Sequence, residues 1–78
     1  MQSNAESVHS ESIQVTINGQ DRQIPRGQTL SDLLGWLQIG SDRVAVELNK
    51  SIVRKRDWDG TAVAEGASLE IVEFVGGG

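Results

Sequence analysis

One segment of this chain repeats its leucines at the spacing of a helix, whereas the apolar residues around it alternate as they do in strands. The leucines that fall at i, i+3, i+4 and i+7, on one face of a helix, are Leu30, Leu33, Leu34 and Leu37. Thr29 can accept a hydrogen bond from a free N–H of the first turn, with Asp32 at the acidic third position. Gly40 is the expected stop. The pattern predicts a helix that buries its leucine face.

Segments with a period of two lie on both sides of this helix. Ile13–Ile17 alternates apolar and polar residues, which is typical of a half-buried strand. Asn18-Gly19 follows at once and predicts a tight type I′ hairpin, because this turn needs positive φ at both central residues. Gln20–Ile24 is then expected to return as a polar strand near a sheet edge.

The second half of the chain continues the strand pattern. Val44–Leu48 alternates again, and Asn49-Lys50 is expected to turn it into a short segment that ends at Arg54. Gly66 is expected to turn the chain into a last strand, in which Leu69 and Ile71 face inward. Two strands, one helix and further strands predict an α+β fold of the β-grasp type. It is a mixed sheet packed on one helix, with the first and last strands parallel at its centre.

Composition limits what such a chain can do. It has 78 residues and no cysteine, so disulfides, zinc–thiolate sites and a cysteine nucleophile are excluded. The net charge of −4, with no tyrosine and one phenylalanine, argues against binding to nucleic acid. No apolar run is long enough to span a membrane, and no segment resembles a secretory signal. A soluble protein of the cytoplasm, without a bound metal, is the expectation.

The alternation breaks near the end of the last strand. Val72 and Phe74 put apolar side chains on the face opposite Leu69 and Ile71. We interpret them as an exposed patch that docks a partner protein. The alternative, a second core layer, needs more residues than the chain offers.

The two ends of the chain differ from its middle. Residues 1–12 are polar and without period, and are expected to form a disordered N-terminal extension, so the domain spans residues 13–78. The chain ends in Gly76, Gly77 and Gly78. Glycines without a Cβ can pass through a narrow channel, and an activated terminal glycine is an unhindered electrophile. We expect a flexible tail that enters another protein's active site, although termini are often simply frayed.

Six segments of the chain carry a family resemblance. They are Val15-Thr16-Ile17-Asn18-Gly19, Gly27-Gln28-Thr29-Leu30 with Leu33-Leu34, Val44-Ala45-Val46-Glu47-Leu48-Asn49, Ile52-Val53 with Arg56 and Trp58, Leu69-Glu70-Ile71-Val72, and Val75-Gly76-Gly77-Gly78. Together they resemble the ThiS family, the sulfur carriers of thiamin biosynthesis, which have a ubiquitin-like β-grasp fold. The resemblance covers residues 13–78, with Ala67 where the family often has Asp.

The resemblance implies a mechanism centred on Gly78. A ThiF-like adenylating enzyme would use ATP and Mg to convert the Gly78 carboxylate into an acyl-adenylate. Sulfur from a persulfide donor would then give a 1-thioglycine, the thiocarboxylate, and a ThiG-like thiazole synthase would take up that sulfur. The carrier would be a co-substrate rather than an enzyme, with no catalytic residue and no bound cofactor of its own.

Other interpretations remain open at this level. The same chemistry could serve the small subunit of molybdopterin synthase, or a ubiquitin-like modifier that forms isopeptide bonds. A third interpretation, from a different class, is a β-grasp interaction module whose glycines are merely flexible.

Overall fold

Strands and helices follow one another in the predicted order through residues 11–74, the part of the chain that the structure, a computed structural model, describes. The expectations for residues 1–10 and for the glycine tail at 76–78 lie outside the described residues. The elements are β1 (Ser12–Ile17), β2 (Gln20–Pro25), α1 (Leu30–Trp36), β3 (Val44–Leu48), β4 (Ser51–Val53), a 3₁₀ helix (Lys55–Gly60) and β5 (Ser68–Glu73). Strand β1 begins at Ser12, one residue before the expected start at Ile13.

The five strands form one mixed sheet in the order β2-β1-β5-β3-β4. The central strand β5 is parallel to β1 and antiparallel to β3, and β2 and β4 pair antiparallel at the two edges. This topology confirms the predicted β-grasp, including the parallel pairing of the first and last strands. It also confirms that the polar strand β2 lies at an edge.

The start of helix α1 is fixed by a reciprocal pair of hydrogen bonds. The Thr29 hydroxyl accepts from the backbone N–H of Asp32 at 3.2 Å, and the Asp32 carboxylate accepts from the backbone N–H of Thr29 at 3.1 Å. This capping box satisfies two N–H groups that have no partner inside the helix. The start predicted from Thr29 and Asp32 is confirmed.

The helix ends earlier than Gly40, so the predicted stop was wrong. Gln38 adopts a left-handed backbone with φ of 62°. Its N–H donates to the carbonyl of Gly35 at 3.0 Å, and the N–H of Ile39 donates to the carbonyl of Leu34 at 2.9 Å. These two bonds form a Schellman motif, which usually places glycine at the left-handed position. A glutamine occupies it here, and the next residue, Ile39, packs against the core.

Both hairpin turns place their central residues in the left-handed region. Asn18 and Gly19 have φ of 51° and 83°, and Asn49 and Lys50 have φ of 53° and 74°. The hairpin predicted at Asn18-Gly19 and the turn predicted at Asn49-Lys50 are confirmed. Asparagine tolerates this conformation better than most residues, because its short polar side chain can hydrogen-bond locally.

The core lies between the helix and one face of the sheet. Three of the four predicted leucines, Leu30, Leu33 and Leu34, are buried there. Leu37, just after the helix, and Val44, in β3, were also predicted for the core and are only partly buried. Four further buried residues were not predicted for the core, and these are Ile24, Trp58, Val63 and Ala67. Trp36 is 46% exposed and lies at the rim of the core. Each of the four missed residues sits in a segment without clear period, so its burial depends on contacts from distant parts of the chain.

Candidate partner-binding site at the end of the last strand

The end of strand β5 carries two exposed apolar side chains. Leu69 and Ile71 are buried against the helix, whereas Val72 and Phe74 are 53% and 56% exposed. The interpretation of Val72 and Phe74 as surface residues is confirmed, and the alternative of a second core layer is wrong. We call Val72 and Phe74 the exit patch. An aromatic side chain left exposed beside a valine is typical of a protein-binding surface.

On one side, β5 is held by strand β3 as far as the last described residue. Val72 lies opposite Ala45, and Glu73 lies opposite Val44. The backbone N–H of Phe74 donates to the carbonyl of Arg43 at 2.7 Å. The chain therefore runs in sheet geometry up to Phe74, and Val75 and the three glycines follow from there in the sequence.

On the other side, β5 is held by β1 for only a short distance. The paired residues are Thr16 with Ser68 and Ile17 with Leu69. The backbone N–H of Asn18 donates to the carbonyl of Leu69 at 2.8 Å, and β1 then turns away. Beyond this point the side chain of Asn18 continues the contact. Its Oδ1 accepts from the N–H of Ile71 at 2.7 Å, and its Nδ2 donates to the carbonyl of Ile71 at 3.1 Å.

Asn18 was predicted only as a turn residue, and its contact with Ile71 was not predicted. The two residues are 53 positions apart along the chain, so no local pattern connects them. One feature of the sequence could have predicted this contact, namely an asparagine at the end of a strand that is expected to pair in parallel with the last strand. At the end of such a strand, the side-chain carboxamide can replace a backbone peptide group in the pairing.

A groove of about 390 Å³ lies beside the exit patch. The residues that line it are Gly40, Asp42, Arg43, Val44, Glu73 and Phe74. Asp42 forms an ion pair with Lys55 at 3.7 Å, and both side chains are largely exposed. An exposed pair of this kind contributes little to stability. The groove therefore offers a partner one aromatic wall together with charges of both signs.

Nothing in residues 11–74 resembles a built metal site. Among those residues no group of three His, Cys, Asp or Glu side chains is placed to hold a metal ion. No helix within the same range is long and apolar enough to cross a bilayer.

Comparison with known proteins assigns this fold and its tail to a family. A family model described as "ThiS family" matches residues 15–78. The chain belongs to the ThiS family. The resemblance seen in the sequence is thereby confirmed, and the match includes the terminal glycines that follow the exit patch.

Individual relatives agree with the ThiS assignment. The sulfur carrier protein ThiS of Bacillus subtilis is 36% identical over 63 residues, which cover 80% of this chain and 96% of that protein. The crystal structure of the thiamine biosynthesis protein ThiS from Geobacter metallireducens superposes with a TM-score of 0.73 at 29% identity. That alignment covers 85% of this chain and all of the Geobacter chain.

A longer relative has a different name. A thiazole synthase of Paramagnetospirillum magneticum is 44% identical to this chain over 66 residues. The aligned segment covers 85% of this chain but only 20% of that protein. The chain thus spans about a fifth of the length of this thiazole synthase.

Proposed function

We propose that this protein is a sulfur carrier that delivers sulfur from a thiocarboxylate on Gly78 to a thiazole synthase in thiamin biosynthesis. The observation that carries the proposal is the match to the ThiS family through residue 78, on a fold whose last strand ends at Glu73, with Phe74 and Val75 before the glycines in the sequence. A carrier relative of nearly the same length and a longer relative named thiazole synthase support the same destination for the sulfur.

The proposed activation follows from the chemistry of a carboxylate. Its carbon is electron-rich and oxide is a poor leaving group, so the Gly78 carboxylate must first be activated. In the proposed step a carboxylate oxygen attacks the α-phosphorus of ATP, pyrophosphate leaves, and an acyl-adenylate forms. A ThiF-like enzyme supplies the ATP and the Mg²⁺ ion for this step. The proposal requires the α-carboxylate of Gly78 to be free.

The sulfur enters in the second stage. The terminal sulfur of a persulfide attacks the acyl carbon and AMP leaves, which gives an acyl disulfide. A thiol then attacks the sulfur distal to the acyl group, so that a new disulfide forms and the Gly78 thiocarboxylate is released. A ThiG-like thiazole synthase takes the sulfur from this thiocarboxylate. In this scheme the carrier is a co-substrate in the cytoplasm, and its partners supply the catalytic groups.

We propose that the exit patch binds both partners in turn. Only Val75 separates Phe74 from the glycines in the sequence, so a partner that covers Val72 and Phe74 would have the tail at the entrance of its active site. Each extended residue advances about 3.3–3.6 Å, so the three glycines can reach roughly 10 Å further. Gly76 and Gly77 are the lead-in, because a side chain at either position would meet the wall of a narrow channel.

The test is intact-mass measurement after incubation with ATP, Mg²⁺, the activating enzyme and a persulfide donor. We expect a mass gain equal to the difference between sulfur and oxygen, and no gain when ATP is omitted. The activating enzyme must first be shown to activate its own carrier. If it then produces no mass gain on this chain, the proposal is overturned and the non-reactive interaction module is favoured. Transfer of the sulfur to a thiazole synthase, rather than to a molybdopterin synthase or to lysines of other proteins, tests the pathway.

A further inference from the structure

The carboxamide of Asn18 occupies the position of a peptide group in a strand that has already ended. If β1 continued in parallel with β5, the backbone carbonyl of residue 18 would accept from the N–H of Ile71. The backbone N–H of residue 20 would then donate to the carbonyl of Ile71. Strand β1 instead turns at Asn18-Gly19, and the side chain supplies both groups, at 2.7 Å and 3.1 Å. One side chain thus prolongs the β1–β5 pairing beyond the end of β1.

These bonds matter because of where they are along β5. Ile71 is 8% exposed, so its backbone groups are poorly placed to bond to water if the carboxamide is lost. Ile71 also precedes Val72 directly and is three residues before Phe74. Among the described residues, Asn18 makes the last hydrogen bonds to β5 from the β1 side, whereas β3 still holds Phe74 from the other side.

We propose that Asn18 is a positioning residue for the activation of Gly78. Its carboxamide fixes the last part of β5 from the β1 side, so that the exit patch keeps one orientation relative to the sheet. Without it, β5 beyond Leu69 is hydrogen-bonded on one side only, to β3, and can twist about that one neighbouring strand. This inference rests on the proposed function, because the orientation of the end of β5 affects activity only if the glycines that follow it enter an active site.

The chain offers a matched control at the opposite end of β5. Asn49 also has a left-handed backbone, with φ of 53°, in the other hairpin. Its Oδ1 accepts from the N–H of Ser68 at 3.0 Å, and its backbone N–H donates to the carbonyl of Ser68 at 2.7 Å. Both asparagines therefore tie a left-handed turn to β5, but Asn49 holds the first residue of the strand, far from the tail.

The substitutions Asn18→Gly and Asn49→Gly separate positioning from stability. Glycine keeps the left-handed turn in both cases, so each variant loses a side chain without strain in the turn backbone. The measurement is ATP–pyrophosphate exchange with the activating enzyme, over a range of carrier concentrations and with carriers shown to be fully folded. We expect Asn18→Gly to lower kcat by about 10- to 100-fold, as small misplacements of reacting groups do. KM should change less, because the exit patch is still present.

Asn49→Gly should leave kcat near that of the original chain. Equal kcat values for the Asn18→Gly variant and the original chain would overturn the inference, and so would equal losses in both variants. Failure of the original chain to support any exchange would instead overturn the proposed function.

Amide hydrogen exchange tests the positioning role of Asn18 without a measurement of activity. Asn18→Gly should lose protection from Ile71 to Phe74, and Asn49→Gly should retain it. Unchanged protection in Asn18→Gly would overturn the inference.

Discussion

The indole N–H of Trp58 donates a hydrogen bond of 2.9 Å to the backbone carbonyl of Val53, the last residue of edge strand β4. Trp58 lies in the 3₁₀ helix and is 3% exposed, so its ring is part of the core while its one polar atom has a partner. A buried tryptophan needs such a partner, because an unsatisfied N–H is costly. This hydrogen bond connects the 3₁₀ helix to the edge strand β4 of the sheet.

Trp58→Phe should lower the free energy of unfolding by about 1–3 kcal/mol, since it leaves a small cavity and removes the partner of the Val53 carbonyl. Urea unfolding measures the change. Trp36→Phe is the matched control, because Trp36 is 46% exposed and exposed sites usually change by within about 0.5 kcal/mol. Equal effects of the two substitutions would show that the burial and hydrogen bond of Trp58 contribute little.

Leu34→Ala should cost about 2–5 kcal/mol of stability, a large part of what a small domain has. Leu34 is a residue of helix α1, is 2% exposed, and belongs to the same core cluster as the buried residues of the sheet. Leu37→Ala removes the same atoms at a partly buried position and should cost less. Thermal or urea unfolding measures the loss of stability in both variants. A larger loss for Leu37→Ala than for Leu34→Ala would contradict this account of the core.

Gln38→Gly should stabilise the protein by about 0.5–2 kcal/mol, the range found when helix caps are improved. Gln38 has φ of 62° at the end of helix α1, where glycine avoids the steric cost of a left-handed backbone. Gln38→Ala keeps a Cβ and is the control, which should bring no gain. Chemical unfolding of both variants decides, and a loss of stability in Gln38→Gly would mean that the glutamine side chain contributes more than the strain costs.

Phe74→Ala should weaken binding to the activating enzyme and to the thiazole synthase by about 2 kcal/mol or more, if the exit patch is a binding hot spot. Isothermal titration with each partner measures this loss. Trp36→Ala is the control, since Trp36 is an aromatic residue of similar exposure that lies beside Ser12 and Pro25, at the end of the sheet where β1 begins. Unchanged affinity in a folded Phe74→Ala variant would exclude the exit patch as the docking surface.

Gly77→Val and the removal of Gly78 should each abolish adenylation while leaving the melting temperature almost unchanged. A valine adds a branched side chain where a narrow channel is proposed, and surface changes away from the core have small effects on stability. Pyrophosphate exchange and thermal unfolding are measured on the same samples. Normal exchange by a chain that lacks Gly78 would place the reactive group elsewhere.

The features that the sequence by itself determined are local ones. The Thr29–Asp32 capping box, the Asn18-Gly19 hairpin and the alternation of β1 each depend on residues within a few positions of one another. The break in alternation at Val72 and Phe74 is also local, and it was sufficient to predict that both side chains are exposed. Together with the family resemblance, these features were sufficient to predict the β-grasp.

Tertiary structure decided the rest, because the deciding contacts join distant parts of the chain. Helix α1 ends at Trp36 rather than near Gly40, and the left-handed turn at Gln38 brings Ile39 against the core. Trp58 enters the core from a segment that has no period of its own. Asn18 meets Ile71 only because β1 and β5 pair in parallel, and this pairing depends on the whole chain between them being folded.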